Sequence, residues 1–251
     1  MKNSILQNKI VRNIFVLIFW LLIWFLIARI VNQSLILPGP FEVLNVLLSL
    51  IKNINFWTDC LISIYRILLG YLLGIVISLL LVLISCISDT FKTLIAPLIK
   101  IIRSTPVASF IILALLWMGK NVVVSLIVML MVIPIVYENV LNEYYSVDYK
   151  LLEMAKAYNF GFIKTLKNIY YPSIKAAFLS ALISAMGLGW KSGIAAEVLS
   201  LPKRSIGSKL YYSKIYLETS ELFAWTIVVI ILSSTIEILI KRFLRGYINE
   251  N

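Results

Sequence analysis

The feature that most limits how this chain can fold is a succession of apolar runs. Each is about 20 residues long, the length an α-helix needs to cross the hydrocarbon core of a bilayer. Six stretches qualify, at roughly 14–31, 61–84, 94–118, 122–141, 174–196 and 222–240. Hydrocarbon offers no partner to a backbone N–H or C=O, so these runs must satisfy their polar groups within helices. Composition agrees, with 61% hydrophobic and 14% charged residues over 251 positions, against about 45–50% and about 25% in a soluble domain. No polar block between the runs is large enough for a separate soluble domain. The expectation is an all-α membrane protein of about six transmembrane helices, a single membrane domain over 1–251 with its first span at 14–31.

The net charge of +11 does not point to nucleic acid, because the basic residues lie mainly at the ends of apolar runs, where they orient spans. Lys2, Lys9 and Arg12 precede the first run, which carries bulky Trp20, Trp24 and Phe25 and no small-residue cleavage site. It reads as an uncleaved anchor. With that end in the cytoplasm, Lys92, then Lys150, Lys156, Lys164, Lys167 and Lys175, and finally Lys241, Arg242 and Arg245 also fall inside. Both termini are then cytoplasmic. Lys203, Arg204, Lys209 and Lys214 fall on the opposite side and break the pattern, only partly offset by Glu197, Glu218 and Glu221. Between the first two runs, the turn signal Pro38-Gly39-Pro40 precedes Val43, Leu44, Leu47, Leu48 and Ile51, spaced for a short interfacial helix that Lys52, Asn53 and Asn55 would end.

Histidine is absent, which removes the commonest metal ligand and the commonest general base near neutral pH. No paired carboxylates or nucleophile-base arrangement replaces it, which argues against a membrane enzyme. Cys60 and Cys86 bracket one apolar run, and a helix of that length holds them nearly 40 Å apart, too far to pair. They read as small apolar packing residues.

The connection between the fourth and fifth runs, about 30 residues long, exceeds what a helical hairpin needs. Asp148 is a candidate N-cap for a helix whose Leu151, Leu152, Ala155 and Tyr158 share one face. Asn159 marks a turn, and Phe162, Ile163, Leu166 and Ile169 lead a second helix to Pro172, which suits the first turn of the next span. This segment resembles the coupling motif of ABC importer permeases: Glu-Ala-Ala, three residues, Gly, nine residues, Ile-x-Leu-Pro. Glu153, Met154 and Ala155 fill its first positions, Asn159 stands at the glycine, and Ile169, Tyr170, Tyr171 and Pro172 close it. Spacing matches throughout, with Met154, Asn159 and Tyr171 departing in identity. Asparagine tolerates left-handed backbone, and Gly161 offers a second hinge. Such lysine-bearing amphipathic helices would also lie on lipid headgroups.

The rest of the chain resembles the same family, closest to its nitrate, sulfonate and taurine branch. SIYRILLGYLLG at 63–74, RSTPVASFIILALLWMG at 103–119 and GWKSGIAAEVL at 189–199 fall in that branch's order. The resemblance implies a type I ABC importer permease fold with its core domain at 57–241, containing the 148–172 coupling loop. It also implies a multi-pass protein of a prokaryotic cytoplasmic membrane, in contact with lipid. Its partners would be a cytoplasmic ATP-binding subunit, a second copy of the permease and an external solute-binding protein. No cofactor would be bound by this chain, and ATP and Mg would be used by the partner. The chain has no Gly-x-x-x-x-Gly-Lys-Ser/Thr loop of its own. Similar permeases serve sulfonates, taurine, nitrate and vitamin precursors.

Charges within spans mark candidate pathway groups, since each costs at least a few kcal/mol in hydrocarbon. Arg66 reads as a side chain snorkelling to the outer interface or as a pathway group. Trp190, Lys191 and Glu197 lie late in the fifth run among Gly187, Gly189, Gly193, Ala195 and Ala196. They would line a passage, or else the charged pair would serve assembly at the outer rim. An ion-coupled secondary carrier is the alternative function, with Glu138 and Glu197 as its candidate carboxylates. Pro134 within the fourth run and Arg103 and Pro106 near the third read as kink positions.

Overall fold

The computed structural model describes residues 9–248, and among them every regular element is helical. The order is α1 (Lys9–Val31), α2 (Pro40–Ile51), α3 (Ile54–Ile87), α4 (Asp89–Ser104), α5 (Val107–Trp117), α6 (Lys120–Tyr145), α7 (Tyr149–Ala157) and α8 (Phe162–Thr165). A π-helical turn (Leu166–Tyr170) leads into α9 (Tyr171–Ser200), followed by α10 (Ile206–Ile215) and α11 (Thr219–Ile248). Five helical stretches are long and apolar enough to cross a membrane, and the pair α4–α5 makes six if counted as one span. Lys2 and the chain ends, on which the expectation of cytoplasmic termini bears, lie outside the described residues.

The core is α6 held between α3 and α9. Helices in lipid gain little from a hydrophobic drive and associate where small residues let backbones approach. A Cβ on Gly70 would lie 2.3 Å from the Ser125 carbonyl oxygen, and one on Gly193 would lie 2.6 Å from Ile67 Cγ1 and 3.0 Å from Val128 Cγ2. Gly74 and Gly189 both face Val132. The valines of α6 therefore wedge between two glycine-bearing surfaces, and Val123, Val124, Val128, Val132 and Val136 are fully buried. Tyr71 of α3 donates to the Leu182 carbonyl of α9 at 2.9 Å, tying the outer two helices of this layer together.

α1 is peripheral, with apolar side chains from Ile14 to Leu22 largely exposed, as a lipid-facing anchor requires. It is tethered by Trp24, which donates to the Pro38 carbonyl at 3.1 Å and stacks on Phe223 of α11. α2 is the expected short helix. Its C-cap is Lys52, and the Asn53 side chain caps α3 by accepting from the Asn55 N–H at 2.9 Å. Cys60 and Cys86 are both free on the one helix α3.

One span carries its expected kink at Pro106 as a full break. The run 94–118 is not a straight helix: α4 and α5 meet at a bend of 105°. The cause is Pro106, which forces the residue before it out of the helical region; Thr105 is extended at ψ 133° and Pro106 caps α5. α4 carries Asp89, Lys92, Lys100 and Arg103 beside buried Ile99 and Ile102, which makes it strongly amphipathic. Pro134, by contrast, lies within α6 without ending it.

Candidate functional site

Two regions at opposite ends of the bundle carry the polar chemistry. At the α7 end, Asp148 accepts from the Lys150 N–H at 2.9 Å and starts α7 as its N-cap. The helix stops in a paired-bond turn: Phe160 N–H donates to Ala155 O at 2.8 Å and Asn159 N–H to Lys156 O at 3.0 Å. That pattern requires a left-handed residue at the position Asn159 occupies, and Asn159 has φ 50°. The turn explains how asparagine can stand where the resembled motif has glycine, at small cost.

Of the coupling-loop residues, Ala155 and Ile169 are buried, whereas Glu153, Met154, Asn159, Gly161 and Pro172 are exposed. Leu151, Met154, Tyr158 and Ile163 show large apolar surfaces, and α7 packs only lightly on the rest of the chain. The stretch Ile163–Ser200 is 38 residues of continuous helix, about 57 Å long and well beyond a bilayer core of about 30 Å. Its first part therefore stands clear of the hydrocarbon. Pro172 has no N–H for the preceding turn, and the Tyr171 N–H reaches back five residues to Leu166 O, which gives the π turn. Tyr170 stacks on Tyr144 of α6 at 4.7 Å between centroids, fixing this junction to the bundle.

At the α10 end, Glu197 is fully buried. Its carboxylate accepts from Ser63 Oγ at 2.8 Å, from the Gly207 N–H at 3.1 Å and from Arg66 Nη1 at 3.4 Å. The Gly207 N–H belongs to the first turn of α10, where a helix presents unpaired donors and its positive dipole end. Arg66 also donates to Lys203 O at 2.9 Å, Arg204 O at 3.1 Å and Asn121 Oδ1 at 2.9 Å. Ser63 Oγ in turn accepts from the Ile206 N–H at 2.9 Å. Arg66 thus does not snorkel. A guanidinium carries five donors in a planar fork, and here the fork is spent on one carboxylate and three neutral oxygens within the protein.

The same end holds a cavity of about 1100 Å³ lined by Asp59, Arg66, Asn121, Lys203, Arg204 and Lys209, with Tyr212, Glu218 and Glu221. Lys209 pairs with Asp59 at 3.7 Å. The Glu218 carboxyl titrates above its ordinary range, first through its hydrogen bond to Glu221, then through that neighbour's charge and through burial.

The late part of α9 does not gather its candidate residues at one point. Trp190 is buried in the core, and its indole N–H has no hydrogen-bond partner among the described residues. Lys191 is exposed on another face and makes no ion pair among the described residues. That face continues along the helix as Ala176, Ser180, Ser184, Leu188, Lys191 and Ala195, all exposed. Glu138, the other carboxylate considered for ion coupling, pairs with Arg103 of α4. The Arg66–Glu197 partnership spans 131 residues of sequence and has no local signature. A charge of each sign at the same depth of two spans was its only signal.

Residues 70–248 match the family model described as binding-protein-dependent transport system inner membrane component, and the chain belongs to that family. It is similar to the putative aliphatic sulfonates transport permease protein SsuC of Bacillus subtilis (strain 168), 26% identical over 79% of this chain and 72% of the relative. The Escherichia coli (strain K12) protein of the same description is 26% identical over 66% of this chain and 63% of its own length. The taurine transport system permease protein TauC of Escherichia coli (strain K12) is 22% identical over 96% of this chain and 90% of its own. The chain is therefore an ABC importer permease, a multi-pass transport subunit of the cytoplasmic membrane and not itself the ATPase.

Proposed function

We propose that this permease passes a small solute of the sulfonate and taurine kind, driven by a cytoplasmic ATP-binding subunit docked on residues 148–172. The observation that carries the reading is the α7 turn. A short helix with exposed Leu151, Met154 and Tyr158, closed by left-handed Asn159, stands outside the hydrocarbon with almost nothing packed on it. Exposed apolar surface rimmed by polar residues is the mark of a partner site. Glu153, Met154, Ala155, Asn159, Gly161, Ile169 and Pro172 shape that site, the exposed ones by contact and Ala155 and Ile169 by holding the loop to the bundle. The α7 end is then cytoplasmic, and with it both termini. ATP and Mg act on the partner, and this chain binds no cofactor.

The exposed face of α9 supports a second copy and a passage beside it. Serines and a lysine facing lipid would be costly, whereas the same face set across a polar passage from its symmetry mate is satisfied. Lys191 would meet the solute's anionic group there. Trp190 and Glu197 act behind that face, one in the core and one at the α10 end. An external binding protein delivers the solute to the α10 end.

The test is reconstitution of the purified chain in liposomes with and without its ATP-binding subunit and binding protein. Uptake is expected only with both partners and ATP. Uptake by the chain alone, driven by an ion gradient, would overturn the proposal.

A further inference from the structure

We propose that residues 201–207 form a movable lid on the α10-end cavity, and that Arg66 and Glu197 are the positioning residues that hold it shut. Four of the seven lid residues give backbone groups to side chains of other elements. The carbonyls of Lys203 and Arg204 accept from Arg66, the Ile206 N–H donates to Ser63, and the Gly207 N–H donates to Glu197. Release of this one cluster frees the backbone of residues 203–207 from α3 and α9 at once, while Pro202 O stays held by Ser208 Oγ.

The backbone of the lid is also held away from its preferred conformations. Leu201 has φ 50° and Arg204 φ 51°, the left-handed region that residues with a Cβ avoid. Such strain persists only where the surroundings over-determine it. The shape at the pivot is as tight: a Cβ on Gly207 would lie 2.3 Å from Glu197 Cβ and 2.6 Å from the Val198 nitrogen. The segment lies flush on the end of α9 only because residue 207 has no side chain.

The lid accounts for two of the four cations that break the charge rule of the spans, Lys203 and Arg204. Lys203 and Arg204 expose their side chains while their carbonyls are fixed beneath them, and both line the cavity wall. Closing the lid therefore places two cations over the cavity, and opening it carries them away together. As the outer wall of a transport passage, a use that rests on the permease reading, the lid would separate the cavity from the exterior until solute is delivered.

Trypsin reads the lid directly, because its two scissile carbonyls in this segment are the acceptors of Arg66. In wild-type protein in lipid nanodiscs, cleavage after Lys156 and Lys164 in the exposed coupling loop should precede cleavage after Lys203 and Arg204. Ser63→Ala, Glu197→Gln and the wedge Gly207→Ala should each speed cleavage at 203 and 204 at least tenfold, with the coupling-loop rate unchanged. Unchanged protection in all three variants, or a rise at both regions together, overturns the lid. In the assembled importer, Ser63→Ala and Gly207→Ala should raise solute-independent ATP hydrolysis several-fold, measured below the melting temperature of each variant; unaltered hydrolysis would overturn the gating role. An assembly that never hydrolyses ATP while the lid is still cut selectively would fault the permease reading and leave the lid standing.

Discussion

At the scale of single residues, the best-defined element of the coupling loop is one φ angle. Asn159 sits at φ 50° in a turn whose two hydrogen bonds depend on it. Asn159→Gly should preserve coupling of ATP hydrolysis to uptake. Asn159→Val, β-branched and about 1–2 kcal/mol worse in left-handed backbone, should reduce coupling while leaving the melting temperature of the bundle unchanged, because the loop is lightly packed. Lys191 makes a second residue-scale case. Lys191→Ala should lower solute-stimulated uptake at constant protein abundance, and unchanged uptake would remove it from the passage. Asn159 was legible in the sequence because a helix stop is local, set by residues within five positions. The environment of Glu197 was not, since its partners Ser63 and Arg66 lie 134 and 131 positions away and only the packing of α3 against α9 joins them.

At the scale of elements, the glycines of α3 and α9 decide how closely three helices approach. Gly70→Ala would press a methyl to 2.3 Å from a backbone oxygen of α6, and overpacking of this kind costs about 1–3 kcal/mol. Gly187→Ala, where a Cβ meets nothing within 4 Å, should be neutral or stabilise by about 0.5–1 kcal/mol through helix propensity. Thermal melting of the two variants in the same detergent checks both, and equal melting temperatures would refute the packing account. Spans were easy to read from apolar length, because burial in lipid is what that length encodes. The kink at Pro106 was legible too, but the size of the bend between α4 and α5 was harder. Hydropathy runs on through Thr105 and Pro106, and it takes the backbone restriction before proline, with the charged face of Lys92, Lys100 and Arg103, to show that this run turns by 105°.

For the whole molecule, the proposed coupling divides the work between the two ends of one three-helix core. α9 runs from the π turn to Glu197 at the lid cluster and packs on α6, so on the proposed coupling a push at 148–172 would reach the far end along a single element. The central claim is that the force enters at 148–172 from an ATP-binding partner, and Glu153→Lys tests it most directly. The measurement is ATP hydrolysis and solute uptake, taken together, in liposomes holding the assembled importer. The account predicts that the variant inserts and melts as wild type does, while uptake per ATP hydrolysed falls at least tenfold or the ATP-binding subunit fails to dock. Normal docking with an unchanged ratio of uptake to hydrolysis would contradict it.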